Sequence, residues 1–140
     1  MALISTFTSF NLPVKNVEQS KAFFTGLGFE LNPQFPESEN SAAFVIGDNL
    51  QVMLISHAFF NTLTERESVD TSKYAQMTIA LAFESREKVN EIVNTAISLG
   101  GKLHAEPEDH GSMYHWGFVD MDGHLWAINC MNMDAVQAQG

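Results

Sequence analysis

The chain is written twice. Phe44-Val45 and Asp48 recur 74 residues later as Phe118-Val119 and Asp122, and each group runs into a two-residue turn, Asp48-Asn49 or Asp122-Gly123. Upstream, Phe10-Asn11-Leu12-Pro13-Val14 corresponds to Ile79-Ala80-Leu81-Ala82-Phe83 at a shift of 69, with the same alternation. The shift reaches 73 where Gly28 meets Gly101, and the four added residues fall in a helical stretch. At roughly 3.6 residues per turn, the second helix is expected to be one turn longer. A repeat of this length means one supersecondary unit used twice.

Each copy reads as βαβββ. In the first, alternation over residues 6–14 meets Asn16, a helix cap with Gln19 three residues on, as in a capping box. The helix runs to about Leu27, where Gly28 stops it; a short strand at residues 29–32 enters a loop broken by Pro and Ser. Residues 42–46 and 50–55 form a hairpin about Asp48-Asn49, a dipeptide that tolerates the positive φ of a type I′ turn. Module 1 thus covers about residues 6–56. A linker follows at residues 57–75, opening with a short helix whose aromatics are expected to cover an edge of the core. Module 2, about residues 76–132, has a strand to Phe83, a helix over residues 85–99 stopped by Gly100-Gly101, a short strand near Lys102, and a hairpin about Asp122-Gly123. Residues 134–140 read as a frayed tail.

Charge narrows the partners. Seventeen acidic residues against seven basic ones give a net charge of −10, with no Lys/Arg cluster, so nucleic acid is excluded as a partner and a neutral or cationic ligand fits best. No apolar run reaches the roughly 20 residues of a membrane span, and Met1-Ala2-Leu3-Ile4 lacks the basic flank of a signal peptide, so a cytoplasmic location is expected and no membrane partner. Cys130 is the only cysteine, and its apolar surroundings suit a buried small hydrophobe better than a nucleophile.

Side chains on a strand alternate between faces. Phe10, Leu12 and Val14 share one side, as do Val52 and Leu54, Ile79 and Leu81, and Trp126 and Ile128; these are expected to pack beneath the helices. The opposite sides carry Ser9, Asn11 and Pro13; Gln51, Met53 and Ile55; Thr78, Ala80 and Ala82; and Leu125, Ala127 and Asn129. So small and mildly polar a face is expected to leave a concave cavity.

Two βαβββ modules, the helix entry Leu12-Pro13-Val14-Lys15-Asn16-Val17-Glu18-Gln19-Ser20 and the terminal hairpin Phe118-Val119-Asp120-Met121-Asp122-Gly123-His124-Leu125-Trp126 resemble the vicinal oxygen chelate superfamily. That superfamily includes glyoxalases, bleomycin-resistance proteins, extradiol dioxygenases and fosfomycin-resistance enzymes. The resemblance covers about residues 6–131. It implies an α+β fold in which tandem βαβββ modules form a curved mixed sheet around a concave cavity, with helices outside and a homodimer as the assembly. In metal-using members, His and Glu ligands come from the first and last strands of each module. By the module alignment those positions hold Ser9, Met53, Thr78 and Ala127. Hydroxyls are weak donors, a thioether prefers soft ions and a methyl offers nothing, so the usual metal site is not expected.

The remaining candidates for ligand contact are Asn11, Met53, His110, Tyr114, His115 and Asn129. His110 and Tyr114 suit acid and base roles, although a loop histidine is as readily structural. If Tyr114, Trp116 and Phe118 face the helix, His115 faces the cavity; the reverse register is equally compatible with the sequence. Trp116 and Trp126 read as core or as stacking platforms. His124 reads as structural and exposed, and His57 and His104 have no evident partners. Two function classes result. One is a cofactor-free protein, similar to bleomycin-resistance members, that binds or sequesters a small neutral or cationic molecule. The alternative is a glyoxalase-like lyase, isomerase or dioxygenase using a divalent metal held by His110, His115 and a carboxylate from Glu106, Glu108 or Asp109.

Overall fold

The computed structural model describes residues 2–131, so the tail expected at residues 134–140 lies outside the described residues. Strand β1 (Thr8–Val14) leads into helix α1 (Val17–Leu27), whose N-cap Asn16 accepts a bond from the Gln19 N–H at 3.0 Å. That bond satisfies one of the donors a helix leaves open at its start. Gly28, at φ 117°, ends the helix in the left-handed region that favours glycine. Strand β2 (Glu30–Leu31), β3 (Ser41–Gly47) and β4 (Leu50–Ser56) complete the first βαβββ set. Their order is β1-β4-β3-β2, with β1 parallel to β4 and the other pairs antiparallel.

Helix α2 (His57–Thr64) follows, contacting β1 and β4, but none of its residues is fully buried and Phe59 is exposed. Its His57 has a partner after all, with Nδ1 bonded to Ser68 Oγ at 2.5 Å. The chain divides into two compact units between Ser68 and Val69. The second holds β5 (Thr78–Phe83), α3 (Arg86–Ser98), β6 (Lys102–Leu103), β7 (Glu108–Asp109), β8 (Met113–Val119) and β9 (Leu125–Met131). Its sheet runs β5-β9-β8-β6, with β7 also on β8 and β5 parallel to β9. The fold is α+β, with mixed sheets of four and five strands and three helices among the described residues.

Register confirms the duplication. Ser9 pairs with Gln51 as Thr78 pairs with Leu125, and Phe44 pairs with Val52 as Phe118 pairs with Trp126. The helix-facing sides bury Leu12, Val14, Val52 and Leu54 in the first unit and Ile79, Phe118, Trp126 and Ile128 in the second. Helix α1 contacts β3 and β4, and α3 contacts β5, β8 and β9. Phe24 of α1 stacks on Phe44 of β3 at 4.7 Å between ring centroids. Truncating such a buried ring costs about 3–5 kcal/mol.

Several details differ from the sequence reading. Helix α3 has 13 residues against 11 in α1, two more instead of a full turn, and Gly100 rather than Gly101 takes the left-handed φ. The extra length is spent partly on Leu99, which caps α3 before the glycine. The first hairpin is not type I′: of its two turn residues only Asn49 has positive φ, and the register shifts between Val45 and Gly47, so Ile46 is accommodated by a bulge. Strand β7 forms inside what reads as loop. Cys130 is half-buried and His124, at 8% exposure, is buried.

Candidate functional site

The second unit contains a cleft of about 320 Å³ on the sheet face opposite α3. Pairing register sets its layout. Glu108 of β7 pairs with His115 of β8, which pairs with Asn129 of β9, which pairs with Ala82 of β5. Directly opposed residues share a face, so these four form one row across the sheet. The next row is Gly117, Ala127 and Ala80, and the next Val119, Leu125 and Thr78. A floor of such small groups lets the cleft exist.

Gly117 is required there by contact. A Cβ at that position would meet the Trp126 carbonyl oxygen at 2.4 Å, inside any allowed separation from backbone. On the other face of β8, Tyr114 reaches the helix. Tyr114 donates its hydroxyl to Asn90 Oδ1 of α3 at 2.7 Å, and the Arg86 guanidinium lies 5.0 Å from its ring centre. This fixes the face left open by the sequence: Tyr114 belongs with α3, and His115 with the cleft. Tyr114 therefore stands apart from His115, and as acid and base His110 and Tyr114 are each engaged elsewhere, the hydroxyl with Asn90 and the imidazole with Glu108.

His115 Nδ1 lies 2.5 Å from Asn129 Oδ1. With a carbonyl oxygen as its partner, Nδ1 carries the proton of this bond, and in that tautomer Nε2 is an acceptor. His110 Nε2 instead pairs with Glu108 Oε2 at 3.0 Å, an exposed contact on the rim. Asp109, one residue on and facing the other way, accepts from the Gly111 N–H at 2.9 Å and from Arg86 at 2.5 Å. Those bonds, the backbone one first, hold its carboxyl below the usual carboxylate range. Trp116 Nε1 donates to the Ala105 carbonyl at 2.8 Å and His104 and Glu106 also line the cleft. Trp116 is half-buried, whereas Trp126 is core at 2% exposure.

The turn that aims β9 across this floor is built on a buried carboxylate. Asp120 accepts from the backbone N–H of Asp122 at 2.9 Å and of His124 at 3.0 Å, and from Trp126 Nε1 at 3.0 Å. Burial nevertheless raises its carboxyl above the usual range, outweighing the nearby His124 and these three donors. Gly123, at φ 88°, passes so close to the chain at Thr71 that a Cβ would lie 2.3 Å from its carbonyl oxygen.

The metal question rests on donors. In the second unit Thr78 and Ala127 line the cleft, and they supply one hydroxyl and one methyl. In the first, Ser9 Oγ already donates to Asn11 Oδ1 at 2.8 Å and accepts from Gln51 Nε2 at 3.1 Å, and Met53 is a half-buried thioether. These residues do not fit a divalent ion. Among the described residues, no three His, Cys, Asp or Glu side chains are grouped to hold one, the His110, His115 and carboxylate set included.

Of the expected contact residues, the structure brings together His115 and Asn129, while His110 is bonded to Glu108. Asn11 and Met53 form a cross-strand pair in the first unit. Glu108 and Gln51 carry more of the geometry than the sequence indicates. Gln51 has a visible signal, a lone amide among apolar strand residues; Glu108 is visible only as one of three neighbouring carboxylates, since its strand is two residues long.

Comparison with known proteins is concordant. No curated protein matches the chain. Among solved structures, a hypothetical protein from S. aureus is 26% identical with a TM-score of 0.76, covering 93% of this chain and 95% of its own. A glyoxalase/bleomycin resistance protein/dioxygenase family enzyme from Burkholderia phytofirmans PsJN has a TM-score of 0.74 at 16% identity, over 88% of this chain and 96% of that one. The fosfomycin resistance protein FosX from Listeria monocytogenes has a TM-score of 0.67 at 20% identity, over 95% and 98%. The last two show likeness of fold alone. The family profile of the Glyoxalase/Bleomycin resistance protein/Dioxygenase superfamily matches residues 6–128, and the chain belongs to that superfamily.

Proposed function

We propose that the protein binds and sequesters a small neutral or cationic molecule without a metal, using the cleft of its second unit. One observation carries the reading: the cleft is floored by Gly117 and Ala127 and edged by Glu106, Glu108 and His115, with Thr78 and Ala127 at the family's ligand positions. An apolar floor with a few polar groups at its edge suits a small organic ligand. Two carboxylates favour positive charge on it, and the net charge of −10 draws cations from a distance. His115 Nε2 offers an acceptor for an N–H or O–H group.

In this reading the protein works as a cytoplasmic homodimer, and affinity without turnover is its activity. Elemental analysis and native mass spectrometry of freshly purified protein test it together. The expected result is a metal-free dimer that retains an organic molecule, and that loses it when Ala127→Trp fills the cleft. About one transition metal per subunit would overturn the reading and favour the lyase, isomerase or dioxygenase class.

A further inference from the structure

The first unit carries a row of side-chain hydrogen bonds with a fixed direction. It begins at the backbone N–H of Gln34, which can only donate, and which donates to Asn32 Oδ1 at 3.1 Å. That orients the Asn32 amide, whose Nδ2 donates to Gln51 Oε1 at 2.9 Å. The Gln51 amide is oriented in turn, and its Nε2 donates to Ser9 Oγ at 3.1 Å. Having accepted there, Ser9 gives its one hydroxyl proton to Asn11 Oδ1 at 2.8 Å. The row crosses the sheet from the end of β2, through β4, to β1. Gln51 is wholly buried and Asn32 is 9% exposed, so water does not compete for the inner links. Asn11, the last member, is exposed.

We infer that this row makes Asn11 a directed N–H donor for a ligand. Its Oδ1 is engaged by the Ser9 hydroxyl and its Nδ2 has no partner among the described side chains, so Nδ2 is the group left for a ligand. An isolated surface asparagine offers donor or acceptor by rotating its amide; here rotation would set Nδ2 against Ser9 Oγ and leave the Ser9 proton without its acceptor. Asn11 therefore selects groups that only accept: a carbonyl, an N-oxide or another neutral oxygen. Ser9, Gln51 and Asn32 are positioning residues, acting on the ligand through Asn11. The second unit has no such device, because Thr78, Leu125 and Ala80 stand at the places of Ser9, Gln51 and Asn11. The inference does not depend on the cleft of that unit.

The test uses two probes of opposite character, pyridine N-oxide, which only accepts, and pyrrole, which only donates. Side-chain amide resonances of the full-length ¹⁵N-labelled protein are followed while each is titrated. Pyridine N-oxide is expected to shift the Asn11 amide saturably and pyrrole to leave it unmoved. In Ser9→Ala, a small change at a half-buried site, pyridine N-oxide is expected to bind about fivefold more weakly and the preference to disappear, since one net hydrogen bond then holds neither orientation. Asn11→Asp, which keeps the bond from Ser9 but has no N–H, is expected to lose pyridine N-oxide altogether. Equal response to both probes, no response to either, or an unchanged preference in a folded Ser9→Ala protein would each overturn the inference.

Discussion

Position for position, the two units put their polar groups at opposite ends of the same sheet face. The row at the closed hairpin end is Val45, Gln51 and Ser9 in the first unit and Val119, Leu125 and Thr78 in the second. At the other end stand Ser41, Ile55 and Pro13 in the first and His115, Asn129 and Ala82 in the second. Between them lie Ala43, Met53 and Asn11 against Gly117, Ala127 and Ala80. The backbone is conserved in register while the face is refilled, so a duplicated scaffold yields a buried amide row in one copy and an open cleft in the other. Fold and site chemistry are separate decisions of the sequence.

The hairpin turns differ in the same manner, and breaking them gives the largest effect. Asp120 stands where the first unit has Ile46, the bulged residue. Asp120→Ala leaves three donors without their acceptor and is expected to lower stability by about 3 kcal/mol, less than three full penalties because a costly buried charge goes with it. Ile46→Ala is expected to cost about 1 kcal/mol. Equal losses in urea denaturation would show that the carboxylate does not organise the second turn.

Next in size is the exchange at the middle row. Gly117→Ala forces a methyl against the Trp126 carbonyl and is expected to destabilise by about 2 kcal/mol, while Ala43→Gly at the matching place costs about 1 kcal/mol through chain entropy. Thermal unfolding of both variants checks the order. If Gly117→Ala is neutral, the close strand approach that shapes the cleft floor is not rigid.

A pH series sharpens the role of Asp120. Its carboxyl is raised by burial, so the folded state holds the proton more tightly than the unfolded chain. Stability contributed by this group is therefore present at low pH and lost as pH rises from about 4 through its folded value. Asp120→Asn lacks that dependence, so the wild type is expected to lose ground against it over this range. A difference that grows in the opposite direction would mean the three donors outweigh burial.

The smallest effect concerns binding alone. His115→Ala is expected to weaken retention of the cleft's ligand about tenfold, and Ser41→Ala, at the equivalent place in the first unit, to leave it unchanged. Competition measured by native mass spectrometry separates the two, and equal losses would remove His115 from the site.

The repeat made the architecture legible, because matched turns and alternation locate strands whatever their neighbours do. Faces were legible for β1, β4, β5 and β9, where bulky and small residues alternate. They were not for β8: Tyr114, His115 and Trp116 are all large and amphipathic, and only the bond from Tyr114 to Asn90 on α3 decides among them. The environment of His124 was hidden for a related reason, since it is buried by a turn wrapped around Asp120. The row through Gln51 depends on Asn32 reaching across β3 to a residue 19 positions away, a distance along the chain that no local pattern encodes.

In each unit the last strand lies between the first strand and the one just before it in the chain, paired parallel to the first. A nascent chain emerging in order thus makes β1 some forty residues before the partner that covers its edge, and β5 waits similarly for β9. Hairpin β3–β4 can form locally, but β1 gains a neighbour only by closing a long loop, which is slow. Each half is accordingly expected to acquire its structure late and at once, when its final strand arrives. Cutting a half short by that one strand would cost the whole sheet, not just the contacts of its seven residues.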